Sequence, residues 1–359
     1  MKENNCKHFG ECGGCVFDKI GDEAYQKAKI DLVKKDLAKT FDQKTIEQSD
    51  FIWINKYSRR KAIFHINHQN KLGFFAKKSK NIVEISQCLI CEVEIFALKN
   101  KIEEFLSSFP QKLFIKATIT KFDNGLDLVL SLAKELNFTQ NQKLINFAKT
   151  QNINLSYQIN DGDFLPIFIA RANQIYINNH KLDLTSDIFI QATKKGLEVI
   201  TNKIRQELIL RQIKDLKIAD IYAGFGAYNF AITDLAQKIT AFEGSQEMIK
   251  ILKQNLAKNN LNNKIQAINR DLFNQPILSK ELNNFDFIII NPPRNGATPQ
   301  IKEIVKSKVK NLIYISCNPK TFTFDSKILL ENGFKAQELT ILDQFIGSNH
   351  SEILVKFFR

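Results

Sequence analysis

Cys317 ends an apolar, β-prone run (Leu312, Ile313, Tyr314, Ile315, Ser316) and is followed by Asn318 and Pro319. A thiol at a strand end can act as a nucleophile once it is presented at a sheet edge. The chemistry open to it is addition to carbon 6 of a uracil ring, which turns carbon 5 into an enolate able to accept a methyl cation. Release of the thiolate by elimination then requires a base that removes the proton on carbon 5. Glu352, with His350 beside it in "HSEILVKFF", opens the last strand-like run and offers that base. A buried free cysteine is ordinary when alone; a distal acid and the motifs described next favour the catalytic reading.

A methyl donor requires its own site. "DIYAGFGAYNFAI" carries a Gly224-Phe225-Gly226 turn without the third glycine that a dinucleotide pyrophosphate needs. A ligand lacking phosphate, such as S-adenosylmethionine, does not need that glycine. Glu243 ends the next strand-like run, 21 residues after Tyr222, where a carboxylate can accept from both ribose hydroxyls. Asp271 follows a third run at the usual place of an adenine contact. "NPPRNG", from Asn291, follows a fourth, and Arg294 stands where an amino-group methyltransferase would carry an aromatic ring. Methylation of an exocyclic amine is therefore disfavoured.

These residues must be positioned by a sheet. From about residue 215, strand-like runs ("LKIADIY", "KITAFE", "KIQAIN", "FDFIII", "NLIYIS") alternate with helical segments such as "QEMIKILKQNLAKNN" and "PQIKEIVKSKV". Alternation of this kind builds an α/β, doubly wound, Rossmann-like sheet whose ligands lie at the carboxyl ends of the strands. Seven strands are expected over residues 186 to 359. Residues 21 to 185 read as short strands ("KAIFHI", "KLGFF", "NIVEIS", "FIKATIT", "LDLVLSL", "INLSYQI", "QIYI") with helices near 22 to 41 and 92 to 109. This predicts a mixed α+β domain rich in antiparallel sheet. Its basic and aromatic stretches, with Arg59, Arg60, Lys61, Lys77 and Lys78 beside Tyr57, Phe74 and Phe75, suit single-stranded RNA.

Cys6, Cys12 and Cys15 fall within ten residues, with Gly13 and Gly14 between the last two, and Cys88 and Cys91 follow much later. Residues 1 to 20 and the segment around 80 to 92 thus form a candidate metal-binding unit. Three thiolates and a fourth from Cys88 or Cys91 could surround an iron–sulfur centre or a zinc ion. The net charge of +13 and pI near 9.3 favour an anionic partner. With 44% hydrophobic and 25% charged residues in 359, the composition is that of a globular protein of two or three domains. No apolar stretch approaches the length of a membrane span, so a cytoplasmic protein with no membrane partner and no obligate protein partner is expected. In that reducing compartment the cysteines are not expected to form disulfides.

Taken together, "CKHFGECGGC" with Cys88, "FIQAT", "DIYAGFGAYNFAI", "FEGS", "NPPRNGA", "ISCNPKT" and "HSE" resemble the RNA (uracil-C5)-methyltransferases. The likeness is greatest to the iron–sulfur members that act on 23S ribosomal RNA. The resemblance implies that Cys317 is the nucleophile and Glu352 the base. It implies that Gln191, Tyr222, Glu243 and Asn291 contact S-adenosylmethionine, with Gly224 and Gly226 shaping the loop and Asp271 a further contact. It places Phe189 near the target base. It assigns Cys6, Cys12, Cys15 and Cys88 to a 4Fe–4S cluster and leaves Cys91 spare. The implied substrate is a single-stranded or flipped-out uridine of 23S ribosomal RNA. Phe225 and Asn291 depart from residues common in the family. The same reaction on the T-loop of transfer RNA, or a non-catalytic RNA-binding role, are the competing readings.

Overall fold

The computed structural model describes residues 6–18, 20–160, 162–186, 188–212 and 214–359. An eight-stranded sheet dominates the second half. In spatial order its strands are Asp50–Trp53, Lys335–Asp343, Glu352–Phe358, Asn311–Ser316, Phe287–Ile290, Lys217–Ile221, Lys238–Glu243 and Ile265–Asn269. The five strands expected from residue 215 onward all form and pair in parallel. Glu352–Phe358 runs antiparallel to both of its neighbours. Strand order reverses between Lys217–Ile221 and Phe287–Ile290, which opens a crevice at the carboxyl edge there.

Seven of these strands lie within residues 186–359, and the eighth comes from far outside that range. Asp50–Trp53 pairs in parallel with Lys335–Asp343, and the helix Glu23–Leu37 packs against the helix Pro319–Glu331. The segment 23–53 therefore belongs structurally to this sheet, although its sequence precedes the mixed domain. Four apolar residues with no special motif ("FIWI") gave no sign of which sheet they would join.

Alternation along the strands builds a core on each face of the sheet. Ile218, Ile239, Phe287, Ile289, Ile313 and Leu354 pack on one side. Ala219, Ile221, Ile288, Ile290, Leu312 and Val355 pack on the other. All four residues of Phe287–Ile290 are buried, the continuous apolar run that a strand covered on both faces requires. Two helices begin with side-chain caps here: Ser245 accepts from Met248 N at the head of Gln246–Lys258, and Asn318 accepts from Lys320 N at the head of Pro319–Glu331.

Between these parts of the large sheet lies a seven-stranded sheet with the order Ile82–Glu84, Leu72–Phe75, Lys61–Ile66, Phe114–Phe122, Gly125–Leu132, Asn154–Ile159 and Leu165–Phe168. Every pairing in it is antiparallel except that of Gly125–Leu132 with Asn154–Ile159. The helix Phe138–Gln151 makes that parallel crossover and covers one face with Val93–Leu106. A hairpin, Asn173–Ile177 and His180–Leu184, leads into the second half. No described helix is long and apolar enough to cross a membrane.

Candidate functional site

Strand register brings the two catalytic candidates together. Ser316 pairs with Ile353 in the antiparallel ladder, so the next opposed positions are Cys317 and Glu352. Glu352 is 3% exposed, whereas Cys317 is half-buried. The helix Pro319–Glu331 starts immediately after the thiol, and the positive end of a helix favours a thiolate. Burial and the Glu352 charge push the Cys317 thiol up, and the Arg294 guanidinium beside it draws it back down. Burial pushes Glu352 up to about 7, opposed by a hydrogen bond from Gln344. Arg294 is held in place through its backbone, since its carbonyl accepts from Asn318 Nδ2 at 2.8 Å and Thr321 Oγ1 at 3.2 Å.

The glycine loop lies on the same edge. Gly224 and Gly226 have φ of +58° and +87°, and a Cβ on Gly226 would come within 2.5 Å of Leu252 Cδ1. Gly224 N donates to Glu243 Oε2 at 2.9 Å, and Ser245 N donates to Oε1 at 2.8 Å. Glu243 is thus locked to the loop at the end of its strand. Tyr222, just before the loop, has φ of +65°, a left-handed conformation that is strained for an aromatic residue and is tolerated at functional sites. Its hydroxyl, both Asp220 carboxyl oxygens and the Asn229 amide are buried and have no hydrogen-bond partner among the described residues. Burial, then the Glu243 charge, pushes Asp220 up to about 8.

A second network ties Glu352 to the crevice. Gln344 Nε2 donates to Glu352 Oε2 at 2.7 Å and to Gln191 Oε1 at 3.1 Å. The Tyr228 hydroxyl accepts from Gln191 Nε2 at 3.2 Å and from Asn291 Nδ2 at 2.9 Å. Gln191, Asn291 and Glu352 are therefore linked through Tyr228 and Gln344, which motif reading had not singled out. Tyr228 stood within the quoted loop as an unremarked aromatic, and Gln344 follows a strand with no motif around it. Asp271 stands apart: its carboxylate accepts from Phe273 N, Asn274 N and Asn274 Nδ2. Those bonds turn its own loop and hold its carboxyl below the usual range. The unpartnered buried polar atoms and the acidic strand end fit a polar, cationic ligand such as S-adenosylmethionine.

Gln191 and Phe189 are themselves set by the first half. Arg60 N donates to Ala192 O at 2.9 Å, and Lys61 Nζ donates to Ile188 O at 3.4 Å. A cavity of about 480 Å³ runs between the halves. Phe189, Arg294, Phe345, Arg59 and Lys61 line it, as do all five front cysteines. Phe189 is 65% exposed.

The front cysteines gather at that cavity without closing on each other. Cys88 and Cys91 sulfurs lie 3.6 Å apart; the hydrogen bond between them, with burial, pushes the Cys91 thiol up, and the same bond draws Cys88 down. Cys15 is pushed up to about 12 by burial and then by the charges of Cys88, Cys12 and Cys6, so these thiols feel one another. Among the described residues, however, no three of His, Cys, Asp or Glu stand in a geometry that could hold a metal ion. The expected 4Fe–4S ligand set is thus present as neighbours on one cavity and not as a preformed cage.

A family model described as tRNA (uracil-5-)-methyltransferase matches residues 23–358. An uncharacterized RNA methyltransferase of Caulobacter vibrioides is 29% identical, over 99% of this chain and 85% of its own length. A 23S rRNA (uracil(1939)-C(5))-methyltransferase of Shewanella woodyi is 26% identical, over 99% and 82%. The solved structure of Pyrococcus abyssi tRNA (uracil-54, C5)-methyltransferase with S-adenosyl-L-homocysteine superposes with a TM-score of 0.73 at 18% identity, over 94% of this chain and 83% of that one. That likeness bears on the fold alone.

Proposed function

The chain belongs to the tRNA (uracil-5-)-methyltransferase family, and from that premise we propose that it methylates carbon 5 of a uridine in 23S ribosomal RNA through a covalent Cys317 adduct. The observation that carries this reading is the opposition of Cys317 and Glu352 across one antiparallel pair, beside the glycine loop. Relatives named for the 23S reaction support the substrate; the net charge of +13 fits any RNA.

Cys317 adds to carbon 6 of the uracil, and Arg294 and the helix start beside it favour the thiolate that attacks. Bound at the Glu243 loop, S-adenosylmethionine supplies the methyl group that carbon 5 takes. Glu352, ionised for the purpose, removes the proton from carbon 5, the C5–C6 double bond re-forms, and the C–S bond breaks with its electrons on sulfur, releasing Cys317 as the thiolate. With its pKa near 7, Glu352 is poised to exchange a proton at neutral pH. Gln344 holds that carboxylate toward Gln191, so base and donor site share one polar chain. Gln191, Tyr222, Gly224, Gly226, Glu243 and Asn291 line the donor side, and Asp271 borders it. Phe189, exposed at the cavity, offers a ring to the uracil or a neighbouring base. A base still paired in a duplex would not reach this edge, so the target is unpaired or flipped out.

At the front, Cys6, Cys12, Cys15 and Cys88 are proposed to hold a 4Fe–4S cluster. Their shared cavity supports this; the lack of three ligands in metal-holding geometry weighs against it. Such a cluster would order the RNA-contacting segment, since the reaction needs no electron.

Mapping 5-methyluridine by mass in 23S ribosomal RNA and transfer RNA, from cells with and without the gene, tests the substrate. Loss of one ribosomal position is expected. Loss from transfer RNA alone would keep the Cys317 chemistry and overturn the ribosomal assignment.

A further inference from the structure

Glu352 is the first residue of its strand, and the loop before it, residues 344–351, is gripped from the far end of the chain. Lys29, on the helix Glu23–Leu37, is 1% exposed and reaches both limbs of that loop. Its Nζ donates to Asp343 Oδ1 at 2.5 Å, where the loop begins, and to His350 O at 2.6 Å, two residues before the base. Tyr25, one helical turn earlier, donates through its hydroxyl to Asp343 Oδ2 at 2.5 Å and accepts from Gly347 N at 3.1 Å. The loop tip has no room to shift: Val16 N donates to Gly347 O at 2.8 Å, and a Cβ on Gly347 would lie 3.1 Å from Cys15 Sγ, Ile20 and Ile90.

A buried ammonium is costly unless paired and hydrogen-bonded, and an aliphatic side chain would fill that space without desolvating a charge. Burial does draw Lys29 below the usual lysine range, and only Asp343 opposes it. The cation's bonds converge on the two ends of one loop, and that loop delivers Glu352. From this geometry we infer that Lys29 and Tyr25, acting through Asp343, are positioning residues that set the Glu352 carboxylate for proton removal. They touch neither substrate nor donor. The inference rests on the reading of Glu352 as the base that resolves the Cys317 adduct.

Elimination, not addition, is the step that needs Glu352, so the two roles separate in one assay. Lys29→Met and Tyr25→Phe would be incubated with S-adenosylmethionine and an RNA stem-loop carrying the target uridine, beside Glu352→Gln and the unaltered protein. Turnover and denaturant-stable RNA–protein adduct would both be read. Expected for Lys29→Met is a fall in turnover of about 10²-fold, the scale of a displacement of about 1 Å, together with adduct accumulation like that of Glu352→Gln. Tyr25→Phe, which keeps the ring packing, should show the same pattern more weakly, and Lys29→Arg should restore part of the turnover. If Glu352→Gln accumulates adduct but Lys29→Met and Tyr25→Phe lose adduct formation and turnover in parallel, their role is general stability and the inference fails. If Glu352→Gln itself accumulates none, the underlying assignment of the base fails instead.

Discussion

The sheet edge that carries Cys317 and Glu352 and the front half hold their reactive and charged groups in different ways. At the edge, strand register fixes Cys317 against Glu352, while Asp220 lies fully buried beside the glycine loop with no partner for either oxygen among the described residues. In the front half, buried charge is paired: Arg60 Nη2 meets Asp123 Oδ1 at 2.8 Å with both side chains nearly dry, and Lys99 meets Glu103 at 2.7 Å. The front thiols, by contrast, sit on turns held by few backbone bonds, such as Cys12 N to His8 O and Gly13 N to Phe75 O. The difference teaches that the edge is organised in advance by its sheet and left polar for a ligand. The cysteine segment is gathered around a cavity, and its thiols do not form a metal-holding group among the described residues.

The largest effects should come from breaking the edge. Cys317→Ala is expected to remove both turnover and the RNA adduct, a loss of at least about 10³-fold, since the thiol is the group proposed to form the bond to carbon 6. Residual methylation with adduct still forming would show that another residue attacks. Glu352→Gln should cost about 10² to 10⁴-fold, the usual worth of a positioned base. It should also let gel-stable adduct build up.

How much of this was legible beforehand follows the same divide. The parallel strands, the Gly224–Gly226 turn, Glu243 and the Cys317–Glu352 pair were readable because each lies where a periodic strand stops, and strand ends in such a sheet share an edge. The joining of Asp50–Trp53 to that sheet was not readable, because its three apolar residues carry no information on which partner strand lies across from them. Tyr228 and Gln344 were missed for a related reason. Their hydrogen bonds to Gln191, Asn291 and Glu352 span 8 to 153 residues of sequence, and no local pattern marks them. Asp271 shows the converse, since a residue in the expected place uses its acceptors on its own turn.

The front half is tested by what it binds. Anaerobic purification should give a brown protein with iron and sulfide and an absorption band near about 400 nm, the region of thiolate–iron charge transfer. Cys12→Ser and Cys15→Ser should lose that colour and melt at lower temperature, because metal binding is coupled to local folding. They should still form the Cys317 adduct on a short stem-loop, which would keep the two regions separable. A colourless protein carrying one zinc per chain would replace the cluster with a structural zinc site, and a protein free of metal would leave the cysteines as cavity lining.

The last prediction bears on stability and not on turnover, at the unpaired carboxylate, and its sign is fixed by linkage. Asp220 has a folded pKa of about 8 against an ordinary value of 3.8. A group raised in this way contributes its full share below the unfolded pKa and loses it as pH climbs toward the folded one, because the unfolded chain releases the proton first. Asp220→Asn removes that dependence while keeping the shape. Ligand-free thermal melts should therefore show little gain for the variant near pH 4, a growing gain through pH 6 and 7, and a plateau above about pH 8. In the paired front half the matching change, Asp123→Asn, should lower stability across the same range, since it strips Arg60 of its partner. A gain for Asp220→Asn that stays flat with pH would mean the carboxylate is compensated in solution by water or by a neighbour, and the contrast between the two regions would then reduce to their thiols.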